Sequence, residues 1–154
     1  MALTSPFALL FTDLIARLTD QVPELRHIDL DWNQLSFQEP PISYPAAIID
    51  FGDTQYQQMQ GFQKGDVTLT IKLVYRSFTA TTSFVPETNR ETALQFFELE
   101  QKIYEALQAW YGGTGKQLVN AYIRQNATTE KRDDGLRVRV LTFLGSYYDN
   151  TVTG

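Results

Sequence analysis

The stretch GDVTLTIKLVYR, residues 65–76, decides the fold. Val67, Leu69, Ile71, Leu73 and Tyr75 fall on one face of an extended chain, with Thr68, Thr70, Lys72 and Arg76 on the other. Side chains alternate across a strand, so this period of two, rich in β-branched residues, predicts a strand. At ~3.3 Å per residue the run spans roughly 35 Å, nearly twice an ordinary strand. A strand of that length forms the spine of a sheet and reaches past the core, and the rest of the chain is expected to pair with it or cover it.

Before the spine, YQQMQGF (56–62) is predicted to pair with it through a turn at Gln63-Lys64-Gly65-Asp66. Its glutamines line a polar, uncharged face, suited either to solvent or to a wet protein contact. AAIIDF (46–51) is a continuous apolar run, as in a buried strand, and Gly52-Asp53 breaks it. Further back lies ELRHIDLDWNQLSFQEPPISYP (24–45), where Ile28 and Leu30 predict a short strand with Asp29 and Asp31 outward. Trp32, Leu35, Phe37, Ile42 and Tyr44 are too apolar for a free linker, while Pro40, Pro41 and Pro45 preclude regular structure. Such an arm either covers the core or contacts another subunit. At the start, Ser5-Pro6 opens a helix whose stripe is Phe7, Leu10, Phe11, Leu14, Ile15 and Leu18, and Pro23 ends it.

After the spine, SFTATTSFVP (77–86) reads as a surface loop carrying Phe78 and Phe84. Thr88 and Glu91 have capping-box spacing, and Ala93, Phe96, Leu99, Ile103, Leu107 and Trp110 make the stripe of a second helix stopped by Gly112-Gly113. Residues 118–128 alternate weakly and 136–143 sharply, with Leu136, Val138 and Val140 opposite Arg137 and Arg139; these predict a hairpin. The last residues, 148–154, are expected to form a mobile tail. Without repeats or an interdomain linker, 1–154 reads as a single α+β domain: a mostly antiparallel sheet with a long central hairpin and two amphipathic helices on one face.

Catalytic and metal chemistry find little support in these residues. The single histidine, His27, has no nucleophile elbow or similar context around it. There is no cysteine, so thiolate chemistry and disulfides are excluded. Asp29, Asp31, Asp50 and Asp53 lack the loop spacing of a calcium site, and solvated strands place acids in the same way. GGTGK (112–116) is superficially like a phosphate loop, but Trp110 stands where the first glycine belongs, Gln117 follows the lysine, and the segment leaves a helix. No cofactor or metal is expected, and no enzyme.

With 154 residues and 43% hydrophobic content, the chain is long enough for a core without staples. A net charge of −5 argues against nucleic-acid binding driven by phosphate neutralisation, and no apolar run approaches the ~20 residues of a membrane span. Arg137 and Arg139, beside Lys131 and Arg132, either pair with acids of their own domain or meet an acidic partner subunit.

Taken together, the opening helix, VPELRHIDLDWNQL (22–35), SYPAAIIDF (43–51), the long GDVTLTIKLVY strand, the second helix and a closing hairpin ending LTFLGSYYD (141–149) resemble the tail completion proteins of the phage neck, the tail terminator group. The resemblance spans nearly the whole chain but rests on patterns rather than on catalytic signatures. It implies a virion protein, made in the host bacterial cytoplasm, that assembles with itself as a hexameric ring at the head-proximal end of the tail. There it would end tube polymerisation and meet the tail tube protein and the head connector, while DNA passes through the ring without sequence-specific contact. Under that implication the subunit-interface candidates are Trp32, Phe37, Gln58, Met59, Gln60, Phe78, Phe84, Arg137 and Arg139. The competing readings are a cytoplasmic adaptor that binds through an exposed strand edge, and a small enzyme.

Overall fold

The computed structural model describes residues 2–76, 81–113 and 118–152. Its elements are α1 (Pro6–Gln21), β1 (His27–Leu30), a single 3-10 turn (Gln34–Ser36), β2 (Ala46–Phe51), β3 (Gln55–Gln58), β4 (Gln63–Arg76), α2 (Glu87–Ala93), α3 (Gln95–Leu107), β5 (Leu118–Glu130) and β6 (Leu136–Asp149). The fold is α+β. Six strands form one sheet in the order β1-β2-β4-β6-β5, with β3 also on β4, and every pairing is antiparallel except β1 with β2.

The spine is longer than its alternation suggested. β4 pairs with β6 over its full 14 residues, from Gln63↔Asp149 to Arg76↔Leu136. On its other side it carries β2 at residues 69–74 and β3 at residues 63–66, so two short strands share one long edge. The predicted turn at 63–66 is therefore strand. The chain reverses at residues 59–62, where the Met59 N–H donates to the Phe62 carbonyl and Gly61 takes φ 84°. A left-handed residue is what a tight hairpin requires, and glycine adopts it without a Cβ clash. β6 likewise continues through Tyr148 and Asp149.

Alternation along β4 sorts the sheet into two faces. Val67, Leu69, Ile71 and Leu73 pack with Leu141, Phe143 and Tyr147 of β6 beneath Leu10, Leu14 and Leu18 of α1 and Leu99, Ile103 and Leu107 of α3. Each such side chain contributes ~1.5–3 kcal/mol when fully buried, which makes this face the main core. Gly65 stands opposite Tyr147, and a Cβ there would come within 2.9 Å of the tyrosine ring. The ring lies across the glycine and meets Phe7 edge-on at 5.8 Å. On the opposite face, Val74, Ala46, Ile48, Leu136 and Val138 form a smaller cluster under Leu35, Ile42 and Tyr44 of the arm.

The second helix departs from its pattern in three ways. It breaks at Leu94 (φ −89°, ψ 0°), whose N–H is shared between the Arg90 and Glu91 carbonyls. The break costs one residue and leaves the three-residue spacing of Ala93, Phe96 and Leu99 intact, so periodicity runs through it unmarked. The Thr88 capping box is absent: Pro86 holds the cap position, its carbonyl accepting from Asn89 and Arg90, and Thr88 lies inside the first turn. Finally, α3 stops at Leu107, ahead of Gly112-Gly113. Residues 108–111 leave the helix to bond the edge of β5, with Ala109 at φ 61° donating to the Tyr122 carbonyl and Tyr122 donating to that of Trp110.

Candidate interaction surface

The arm is fixed to the sheet by polar contacts. Asn33 adopts φ 73°, its N–H donates to Asp31 Oδ1, and Ser36 Oγ donates to the Asn33 carbonyl. Gln34 is fully buried; its amide donates to the Leu30 carbonyl at 2.9 Å while its oxygen accepts the Trp32 N–H at 2.9 Å. From the far edge of the sheet Arg132 reaches across, donating to the Leu35 carbonyl at 2.6 Å and bridging Glu130 and Asp134. Lys72 lies between Glu130 (3.4 Å) and Asp31 (3.9 Å).

Electrostatics follow this geometry. Burial pushes the Glu130 carboxyl up, but its Arg132 hydrogen bond and the Lys72 charge outweigh that and hold it below its ordinary value. Asp134 is lowered chiefly by its hydrogen bond with Arg132, and that same bond raises the guanidinium. These groups stay charged at neutral pH and act as a clasp between the arm and the β5–β6 turn.

What the arm presents outward is aromatic. Trp32 and Phe37 pack edge-on at 5.5 Å, yet are 52% and 51% exposed, and the indole N–H donates to Asp29 Oδ2 at 3.1 Å. Leu30, two residues before Trp32, is exposed as well. The sequence thus predicted two residues that the fold does bring together. Phe84 stands apart at 97% exposure, inside a turn closed by the Val85 N–H donating to the Thr82 carbonyl. Phe78 lies outside the described residues. Gln58, Met59 and Gln60 gather at the β3–β4 turn, where Gln58 donates to the Met59 carbonyl and accepts from Gln63.

Arg137 and Arg139 project onto the helix-covered face. The Arg137 guanidinium lies 5.9 Å from the Phe96 ring centre, and Arg139 bonds Glu100 of α3 at 2.5 and 3.2 Å while lying 5.6 Å from Phe97. The carboxylate bond raises the Arg139 guanidinium. Of the two readings left open, the intradomain one describes Arg139.

Other residues of the surface carried weaker sequence signals. Ile123 and Leu144, partners across β5 and β6, are both exposed and line a groove of about 340 Å³ with Asn120, Gln125 and Asp66. Register shifts flank Ile123 on both sides, and such bulges turn side chains in ways that an alternating pattern does not predict. Gln34 and Arg132 are recognisable only once the arm and the β5–β6 turn are known to meet.

The strand edges bear on the adaptor reading. At β1, the Leu30 N–H donates to Asp29 Oδ1 and the Leu30 carbonyl accepts from Gln34. At β5, residues 108–111 bond Leu118 and Tyr122, and the Arg124 N–H donates to Gln108 Oε1. An incoming strand would have to displace these bonds at both places. Among the described residues no group of three or more His, Cys, Asp or Glu is arranged to hold a metal ion, and no helix is long and apolar enough to cross a membrane. His27 Nε2 lies 3.8 Å from Asp29 Oδ2.

No protein-family model and no curated protein matches the chain. Among solved structures, the chain is similar to one in the virion of a native gene transfer agent particle, with a TM-score of 0.56 and 10% identity over 95% of this chain and 99% of that one.

Proposed function

We propose that this chain is a structural, non-enzymatic subunit of a tailed-phage-like virion, a tail terminator that closes as a ring at the head-proximal end of the tail and joins it to the head. The observation that carries the reading is the end-to-end fold likeness to a chain of a gene transfer agent virion, covering 95% of one chain and 99% of the other. A likeness at 10% identity gives the fold; the terminator role comes from the sequence resemblance and from the surface. An exposed aromatic pair, a fully exposed Phe84 and an open sheet face suit assembly better than a substrate pocket. A ring with the acidic balance of this chain would let DNA pass without binding it.

Native mass spectrometry with negative-stain imaging over a wide concentration range tests the reading. Closed rings of about six copies, alone or on added tail tubes, are the expected result. The Phe84→Ser variant is expected to fold normally and assemble less. A chain that stays monomeric and ignores tail tubes overturns the proposal.

A further inference from the structure

β3 continues β2 along the same side of β4. Phe51 pairs with Leu69 and Gln55 with Asp66, so residues 52–54 stand opposite only 67–68, a bulge within one interrupted strand. β1 covers that strand as far as Ile49, whose carbonyl accepts the Asp31 N–H. Along an antiparallel pair, residues alternate between bonding their partner and turning their backbone groups away. The Met59 N–H donates to the Phe62 carbonyl and the Gly52 N–H to that of Thr68, which sets the phase. Gln55 and Gln57 therefore bond β4, while the N–H and C=O groups of Tyr56 and Gln58 point outward from the sheet. All four residues of β3 are exposed. Their side chains are engaged elsewhere: the Gln58 amide donates to the Met59 and Phe62 carbonyls, and the Tyr56 hydroxyl bonds that of Tyr147. Proteins ordinarily guard such an edge with charge, proline or a covering segment. The β1 and β5 edges are sealed by bonds to Leu30, Tyr122 and Arg124, whereas QYQQ carries neither charge nor proline.

We propose that β3 is a docking edge, and that its occupant is an extended segment of another polypeptide, alternating apolar with basic residues, which adds to the sheet as a further strand. Backbone donors and acceptors left open in strand register are matched by a second extended backbone. The two faces of the edge choose its side chains. On the helix side an incoming residue lies beside the half-exposed Tyr56 ring, itself edge-on to Tyr147 at 6.4 Å. On the other side it lies beside Gln55 and Gln57, along an edge that also carries Asp50 and Asp53. Both acids are exposed, and among the described residues neither has a hydrogen bond or ion pair. Lys64, opposite Gln57, lies 3.9 Å from Asp66. A basic strand would pair with the two free acids and an acidic one would be repelled. A second copy of this chain does not supply such a strand. Its own apolar–basic alternations, IKLVYR (71–76) and LRVRV (136–140), are already paired within the sheet as parts of β4 and β6. The inference goes beyond the ring reading and does not depend on it.

Residue-resolved amide exchange on the full chain tests this, with a blocked hexapeptide of alternating valine and lysine as probe and its valine–glutamate counterpart beside it. Without peptide, the Tyr56 and Gln58 amides should exchange freely while that of Gln57 is protected. The lysine peptide should slow those two amides and bind roughly tenfold more tightly than the glutamate peptide. Gln58→Pro removes only an outward N–H, so it should keep native circular dichroism and lose the binding. Should that variant misfold, the lysine peptide N-methylated at every residue replaces it, and should protect neither amide. Asp50→Asn with Asp53→Asn should bring the two peptides to equal affinity without changing the fold. No slowing at millimolar peptide, slowing at β1 or β5 instead, or equal binding of both peptides to the parent chain overturns the proposal. Protection of Tyr56 and Gln58 at high protein concentration without peptide would give the edge to a second copy, and overturns it too. Ring formation is read separately by native mass, so a monomer that takes the strand, or a ring that does not, separates this inference from the terminator reading.

Discussion

On one face of the sheet, Leu69, Ile71 and Leu73 lie under two helices and are sealed by apolar packing. On the other, the neighbouring Thr68, Thr70 and Lys72 lie between an arm and open solvent, and what holds the arm is largely a set of charged hydrogen bonds. The same strand serves both. Apolar packing is non-directional and gives the helix face its stability, whereas the clasp is directional and weak in water. The difference predicts a molecule whose helix face unfolds as a unit and whose opposite face loosens first.

The largest effect should come from the helix face. Ile71→Ala removes a fully buried side chain beneath α1 and α3 and is expected to cost about 2–5 kcal/mol. Denaturant melts followed by far-UV circular dichroism and by tryptophan fluorescence should shift together. If only the fluorescence shifts, the two faces are not divided as described. Gly65→Ala comes next: its Cβ would meet the Tyr147 ring at 2.9 Å, and that ring is confined by Phe7 and by a 3.0 Å hydrogen bond with Tyr56. Overpacking of this kind costs about 1–3 kcal/mol. A melt unchanged from the parent would mean that the ring is free to move aside.

Arg132→Ala should act on the opposite face alone. It removes the bond to the Leu35 carbonyl and both carboxylate contacts, for a loss of about 1–2 kcal/mol, smaller than that of the core substitution. Hydrogen exchange is the discriminating measurement. Residues 31–45 should exchange faster while α1 and α3 keep their protection. Equal loosening of both faces would remove the contrast.

The two faces also differ in how far the sequence reveals them. Strict alternation over residues 67–73 and the stripes at Leu10, Leu14 and Leu18 report the helix face directly, because apolar burial leaves a periodic trace. Val74, the one apolar residue on the Thr side of β4, is the trace of the arm's cluster, and it is intelligible only with Leu35, Tyr44 and Val138 beside it. Polar fastening leaves none. Nothing within NQLSF marks Gln34 as fully buried, since its partners are backbone groups brought to it by the turn. Trp32 and Phe37 could be chosen as surface candidates because proline kept their segment irregular. The Ile123–Leu144 groove could not, because the bulges around it break the alternation that a strand reading depends on.

The smallest effect, and the most selective, should come from acid. Glu130 and Asp134 both sit below their ordinary values of 4.5 and 3.8 in the folded chain, Asp134 through Arg132, and Glu130 through Arg132 and Lys72 against its own burial. A carboxyl lowered by folding adds stability that is complete above its unfolded value and is lost as the pH falls through the folded one. The clasp therefore holds from neutrality down to about pH 4.5 and weakens below it; on the helix side one carboxyl is lowered in the same way, Glu24 beside Lys102 of α3, and it lies at the surface, outside the apolar core. In a Trp110→Phe background only Trp32 reports, and it stands on the arm itself. Its fluorescence should be flat from pH 7 to about 5 and change below 4.5, with far-UV circular dichroism still native. Arg132→Ala should abolish that step, since the carboxyls it lowers would return toward their ordinary values. A step that persists in Arg132→Ala, or one that coincides with loss of the helical signal, would show that acid acts on the whole fold rather than on the clasp.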